Sequence, residues 1–286
     1  MRRQMYSITS PQSVPLTESL SSFAIAAESF PLDIRRAATA VHLFCRATDD
    51  IVDGKMDPSS KKNKLQEWEK DLHHGWENNS ASHPILSAFV NTCREYWIPQ
   101  TDGFALIEGL RRDLTCHRYA TFESLHHYCA AAGGIPGRMM ARLVGAPLAS
   151  MSAAVALGIG MQLTNILRDI QEDFEIGRVY LPHEDIKSFG YTEEELAAGK
   201  ITPAFQELMR FQVARARSFY VPAREAKYSI PRHARMGTFL CGALYEGILD
   251  EIEQRGYDVF SSRVRVSDSR MRQICQEQKT ILPGHP

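Results

Sequence analysis

Two pairs of aspartates could do chemistry: Asp49 and Asp53 in FCRATDDIVDG, and Asp169 and Asp173 in NILRDIQEDFEIGRVYLP. Residues four apart share one face of a helix, so each pair would set two carboxylates side by side. The repulsion within one such pair costs about 0.2–0.5 kcal/mol. Four carboxylates turned toward each other would cost far more unless divalent cations were shared among them. Hard oxygen donors suit Mg²⁺, which fills its remaining positions with water and substrate phosphate. The pattern points to a diphosphate held through metal.

The flanking residues bear on each pair. Taken alone, the first pair reads equally well as a solvated acidic face. Apolar Ala40, Val41, Leu43 and Phe44 precede it, so the helix is expected to be largely buried, and acidic groups at its end need partners. Arg46 is one candidate. Around the second pair, Gln162, Asn165, Asp169 and Asp173 recur at three or four residues and form a polar stripe opposite Ala153, Ala156, Leu157, Gly160, Leu163 and Leu167. That stripe is either a buried hydrogen-bond network or a ligand site. Asn165 can offer a neutral oxygen. Beyond Gly177, Arg178 and Tyr180 could fold back over the acids, with Arg178 contacting phosphate.

The elements that must position these residues read as helices almost throughout. Helices are expected over 19–30, from Asp33 to Gly54, 61–78, 84–97, 101–114, 121–144, 150–175, 204–228 and 231–256, with a last one from Ser267. Thr192 and Glu195 form a capping box. No period-2 strand or hairpin signal is evident. The expectation is a single all-α domain over 1–286, with loose termini at 1–14 and 277–286.

Composition narrows the classes. Thirty-three basic residues balance thirty-four acidic ones, which argues against bulk nucleic-acid binding. Six scattered cysteines without CxxC are expected to be reduced thiols of a cytoplasmic protein. Arg2 and Arg3 are followed by no apolar signal region, and no run approaches the ~20 apolar residues of a membrane span. Contact with a membrane surface stays open, as does oligomeric state.

Both motifs carry a resemblance. NILRDIQEDFEIGRVYLP and FCRATDDIVD resemble the two aspartate-rich motifs of squalene and phytoene synthases, head-to-head isoprenyl diphosphate synthases. Ser21, Ser22 and Phe23 resemble their N-terminal Ser-Phe site. DLTCHRYATFESLHHYC and LYEGILDEIEQRGYDVFSSRVRVS resemble their central and C-terminal segments, so the likeness spans about 15–275 in order. It implies an isoprenoid-synthase helical bundle with a central cavity. It also implies two or three Mg²⁺ ions held by Asp49, Asp53, Asn165, Asp169 and Asp173. Farnesyl or geranylgeranyl diphosphate would be bound by Ser22, Phe23, Arg46, Gln162, Asn165, Arg178, Tyr245 and Gly134. Tyr128 and Tyr180 would serve proton handling or cation stabilisation, although each tyrosine alone reads first as core. Use of NADPH depends on the product. The chain departs from the family in CAAAGGIPG after Tyr128, where Pro136 should kink or break the helix. It departs again at Leu20 and Ser21, before the Ser-Phe site, and at Arg270, where a lysine is common. A second reading keeps the ionisation site but passes the prenyl group to a small aromatic or cyclodipeptide acceptor.

Overall fold

The structure, a computed structural model, describes residues 22–282, with Ser22 by its backbone alone. The expectations for residues 1–21 lie outside it. Fifteen α-helices occur among the described residues. They are α1 (Ser22–Ala27), α2 (Leu32–Asp53), α3 (Pro58–Asn78), α4 (Pro84–Glu95), α5 (Gln100–Arg111), α6 (Phe122–Cys129), α7 (Ile135–Leu143), α8 (Met151–Arg168), α9 (Ile170–Glu175), α10 (His183–Ser188), α11 (Glu193–Ala197), α12 (Pro203–Ser218), α13 (Val221–Glu225), α14 (Arg232–Gln254) and α15 (Asp268–Ile281). Outside helices, the only ladder contact among these residues is one parallel bridge between Arg118 and Val179.

The helix boundaries follow local chemistry. Asp57, with Pro58 at the first position, caps α3 by accepting from the amides of Ser59 and Ser60. The helix therefore begins earlier than the expected residue 61. Thr192 and Glu195 close the expected capping box on α11, and Thr121 forms another with Ser124 on α6. Asp33 lies in the first turn of α2 but caps nothing; the helix starts after Pro31. Ser267 caps α15, which continues to Ile281 with Leu282 buried behind it. The expected loose segment is therefore helical from 277 to 281, because Ile274 and Leu282 anchor it to the bundle.

α8 is the hub, packing against α6, α7, α12, α13 and α14, while α2 packs against α3, α4, α5 and α7. The approach of α8 to the segment before α7 is backbone to backbone. A Cβ on Gly158 would lie 2.1 Å from the Gly133 carbonyl oxygen, and one on Gly137 would lie 2.4 Å from that of Ala154. Pro136 does not break this segment. The missing N–H is accommodated by a π turn over Ala130–Gly134, and the chain stays helical from Phe122 to Leu143. α8 with the turn before it (Leu148–Arg168) is long and apolar enough to cross a membrane, more than the sequence reading allowed for. Half of that stretch is buried inside the bundle.

One large core runs through the bundle. A small satellite core of Ala27, Phe30, Ile34, Val144, Ile230 and Ala234 closes the end where α2, α8 and α14 begin and α7 finishes. The aspartate motifs lie at the other end, where α2 and α8 finish.

Candidate active site

The expected single helix through both members of the second pair is interrupted. α8 ends at Arg168, Asp169 adopts φ −102°, ψ 19°, and α9 starts at Ile170. The Asp173 amide still donates to the Asp169 carbonyl at 2.8 Å, so the spacing survives the break and both carboxylates reach the same cavity. Asp49 and Asp53 enter from the last turns of α2 across from them. The cavity, about 1060 Å³, is also lined by Phe23, Arg46, Tyr128, Gln162, Asn165, Arg178, Tyr180 and Tyr245. Its volume is at the upper end for ligand pockets. From the aspartates it extends to Phe30, Val144 and Ile230 in the satellite core.

Two expectations are corrected. Gly134 is not on the cavity wall: its missing Cβ points at Val155 of α8, 3.0 Å away. Gly133 and Gly137 line the cavity instead. Arg46 does not pair with Asp49. It pairs with Asp50 at 3.1 Å, one turn ahead on the exposed side of α2. Its stem still lines the cavity. Arg270 is engaged with Asp250 and Glu277, away from the site.

Gly177 adopts φ +84°, a left-handed turn that glycine takes without strain. It turns the chain so that the Arg178 amide donates back to the Asp173 carbonyl at 2.8 Å and the Val179 amide donates to the His117 carbonyl at 2.9 Å. The buried Arg178 guanidinium is thereby aimed at Asp53, with which it forms an ion pair, and at the carbonyls of Val52 and Asp113. Behind it, Asp113 is a buried acid that the sequence reading passed over. One of its oxygens accepts from the Tyr128 hydroxyl at 2.8 Å and the Tyr180 hydroxyl at 2.9 Å. Tyr119 stacks on Tyr180. Asp113 directly follows Arg111 and Arg112, so the local sequence reads as a charged run and its burial was not legible.

Arg263 was also missed. In the extended stretch 263–266, Val264 and Val266 are buried while Arg263 and Arg265 stand at the cavity mouth; that alternation was readable. Arg263 donates to Asp169 at 3.0 Å and to Glu172 at 3.4 Å, and Arg168 grips Asp169 from its other side at 2.5–2.6 Å. Phe23 stacks on His42 with ring centroids 4.2 Å apart.

The acids are strained electrostatically. Burial, with Asp53 next, pushes the Asp49 carboxyl up to about 7. Burial, with Asp169 next, pushes Asp173 up to about 8, against the pull of Arg178. Asp113 rises to about 6 through burial, moderated by Arg178 and its two tyrosine donors. Among the described residues, no three acidic, His or Cys side chains converge on one point as a complete metal cage. The buried oxygens Asn165 Oδ1 and Glu172 Oε2 have no hydrogen-bond partner. Hard oxygens spread around the wall of one cavity fit a cation that takes one or two carboxylates and completes its shell with phosphate and water.

The sequence profile of the squalene/phytoene synthase family matches residues 16–270. Phytoene synthase from Arthrospira platensis is 38% identical over 262 residues, covering 86% of this chain and 84% of its own. The 15-cis-phytoene synthase of Synechocystis sp. is 36% identical over 245 residues, covering 81% and 72%. Among solved structures, a dehydrosqualene synthase in complex with ligand superposes with TM-score 0.85 at 27% identity, covering 92% of both chains. A squalene synthase from Alicyclobacillus acidocaldarius gives 0.75 at 26% identity, covering 82% and 89%. Sequence profile, relatives and fold agree with what the aspartate-lined cavity suggested: the chain belongs to the squalene/phytoene synthase family and is a prenyltransferase.

Proposed function

We propose that this single-domain protein joins two geranylgeranyl diphosphates head to head through a cyclopropylcarbinyl diphosphate, releasing one diphosphate and one proton as the cyclopropane closes and a second diphosphate and proton as it rearranges to the C40 hydrocarbon phytoene. The observation that carries this reading is the convergence of both aspartate pairs, Asn165 and the arginines at the mouth of one long apolar cavity. The choice of a C20 substrate draws on the similarity to phytoene synthases.

Asp49, Asp53, Asn165, Asp169 and Asp173 would hold Mg²⁺. Bound there with diphosphate, the metal supplies Lewis-acid stabilisation of the leaving group. Arg178, Arg46 and Arg263 would meet the phosphate oxygens as positive partners. Gln162 lies one turn before Asn165 and faces the same substrate. Ser22 and Phe23 bring α1 over the cavity, where Phe23 closes one wall. The apolar walls exclude water, which would otherwise quench a carbocation. Tyr128 and Tyr180 both donate to Asp113, which fixes their rings along the cavity wall. Tyr245 presents a protonated hydroxyl; burial holds its pKa up at about 12. Together they suit cation stabilisation. The last step loses a proton, so no NADPH is needed.

Incubation of the protein and Mg²⁺ with geranylgeranyl or farnesyl diphosphate, with and without NADPH, should yield a C40 hydrocarbon from the C20 substrate without reductant. A product formed only as a C30 hydrocarbon, or only as a prenylated small aromatic acceptor, would replace this reading.

A further inference from the structure

We infer that the end of the bundle opposite the aspartates is a docking face for an anionic lipid bilayer. Of the exposed large apolar side chains among the described residues, the four most exposed are Trp97 at 83%, Leu148 at 76%, Tyr228 at 70% and Leu32 at 59%. They come from four separate places in the sequence: after α4, before α8, in the turn before α14, and at the first residue of α2. Single exposed apolar residues need no explanation. These four share one end of the molecule. Arg142, at the finish of α7, donates to the Trp97 carbonyl at 3.3 Å. Arg235 donates to the Tyr228 and Ile230 carbonyls at 3.2 and 3.0 Å. Arg35 donates to the Phe30 carbonyl at 3.4 Å. Phe30, Val144 and Ile230 then meet in the satellite core beneath.

Those hydrogen bonds also set the charge of the face. Arg35, Arg142 and Arg235 spend their guanidiniums on backbone carbonyls and pair with no carboxylate among the described residues. Exposed Arg36 and Arg232 lie within one residue of them or of the helix start. Glu28, Asp33, Glu95 and Glu225 offset part of this charge. A tryptophan and a tyrosine projecting beside a basic rim match the chemistry of a membrane interface with anionic headgroups. The same rim disfavours a second copy of the chain, because a two-fold contact would set like charges against each other. The face lies directly over the apolar end of the cavity, whose wall there is Phe30, Val144 and Ile230. On the function proposed above, it would set that end against the phase in which a hydrocarbon product dissolves.

The test uses the full chain without Mg²⁺ or substrate, so it does not depend on turnover. Vesicles of phosphatidylcholine with phosphatidylglycerol should carry the protein in flotation, and vesicles of phosphatidylcholine alone should carry less. Trp97 emission should shift to the blue on binding, with Trp68 buried as an internal reference. The triple variant Trp97→Asn, Leu148→Ser, Tyr228→Ser should bind about tenfold more weakly or worse. Asparagine is chosen because residue 97 has φ +56°, which asparagine tolerates. The variant should keep its circular dichroism and its turnover of detergent-dispersed substrate. A full chain that stays in solution, because residues 1–21 or a second copy cover the face, overturns the proposal; so does equal binding by the variant. Vesicle binding without any prenyl turnover would leave the docking face standing and remove the proposed reaction.

Discussion

At the scale of single residues, the site is a balance of acids that are poorly solvated against arginines that partly compensate them. Asp113 is the clearest positioning residue, since one of its oxygens holds the protons of two tyrosines and its carbonyl receives Arg178. Asp113→Asn should lower kcat about 10–100-fold, in the range of supporting hydrogen bonds around a site, with little change in KM. A raised KM with unchanged kcat would assign Asp113 to binding instead. The raised carboxyls of Asp49 and Asp173 carry a stability consequence. An acid whose pKa is higher folded than unfolded takes up a proton on folding, so it costs nothing at low pH and its cost grows as pH rises from the unfolded pKa to the folded one, above which it is constant. For Asp173 that window runs from about 4 to about 8. Asp173→Asn should therefore stabilise the metal-free protein at pH 8 by on the order of 1–2 kcal/mol and leave it unchanged near pH 4. Thermal unfolding at the two pH values reads the difference directly.

At the scale of elements, the cavity exists because α8 and the π turn before α7 approach through glycine. Gly158→Ala would drive a methyl group into the Gly133 carbonyl, 2.1 Å away, where both partners are backbone and neither can rotate aside. The expected cost is about 1–3 kcal/mol, measurable as a lower denaturant midpoint, with the cavity narrowed at its middle. Gly177 works differently: its left-handed turn sends Arg178 inward. The break between α8 and α9 at Asp169 and the π turn at Ala130–Gly134 are both departures from ideal helix at the cavity wall, where such departures commonly serve function. Neither was legible in the periodicity, because a one-residue break or one extra residue in a turn leaves the apolar spacing nearly intact. The other long helices were legible to within a few residues, but the one expected over 204–228 ends at Ser218, and Pro222 starts the separate short helix α13 (Val221–Glu225).

At the scale of the whole molecule, charge and shape are arranged along one axis, with acids and arginines at one end and an apolar, basic-rimmed face at the other. The acid end predicts a linkage between two ligands. Mg²⁺ with inorganic diphosphate should raise the melting temperature by about 5–10 °C at concentrations near a hundred times the dissociation constant. Either ligand alone should do much less, since neither by itself completes the coordination or offsets the arginines. Equal shifts from Mg²⁺ alone in calorimetry would mean an all-protein metal cage, which the spread of the oxygens does not provide. The whole-molecule view also explains α8. Its composition suits a membrane span, yet its neighbours bury half of it and its polar stripe faces the cavity.

The helical architecture, the two aspartate pairs, the stripe from Gln162 to Asp173 and the family likeness all rest on residues a few positions apart, so they were already present in the sequence by itself. Spacing of three or four sets a helix face, and a motif is local by nature. Tertiary structure alone decided the partners. It joined Asp113 to Tyr180 across 67 positions and Arg263 to Asp169 across 94. It gave Arg46 to Asp50, turned Gly134 away from the cavity, and gathered Trp97, Leu148, Tyr228 and Leu32 at one end. The physical reason is the same each time: a buried charge or an exposed ring is defined by what surrounds it, and those surroundings come from chain segments that no local spacing connects.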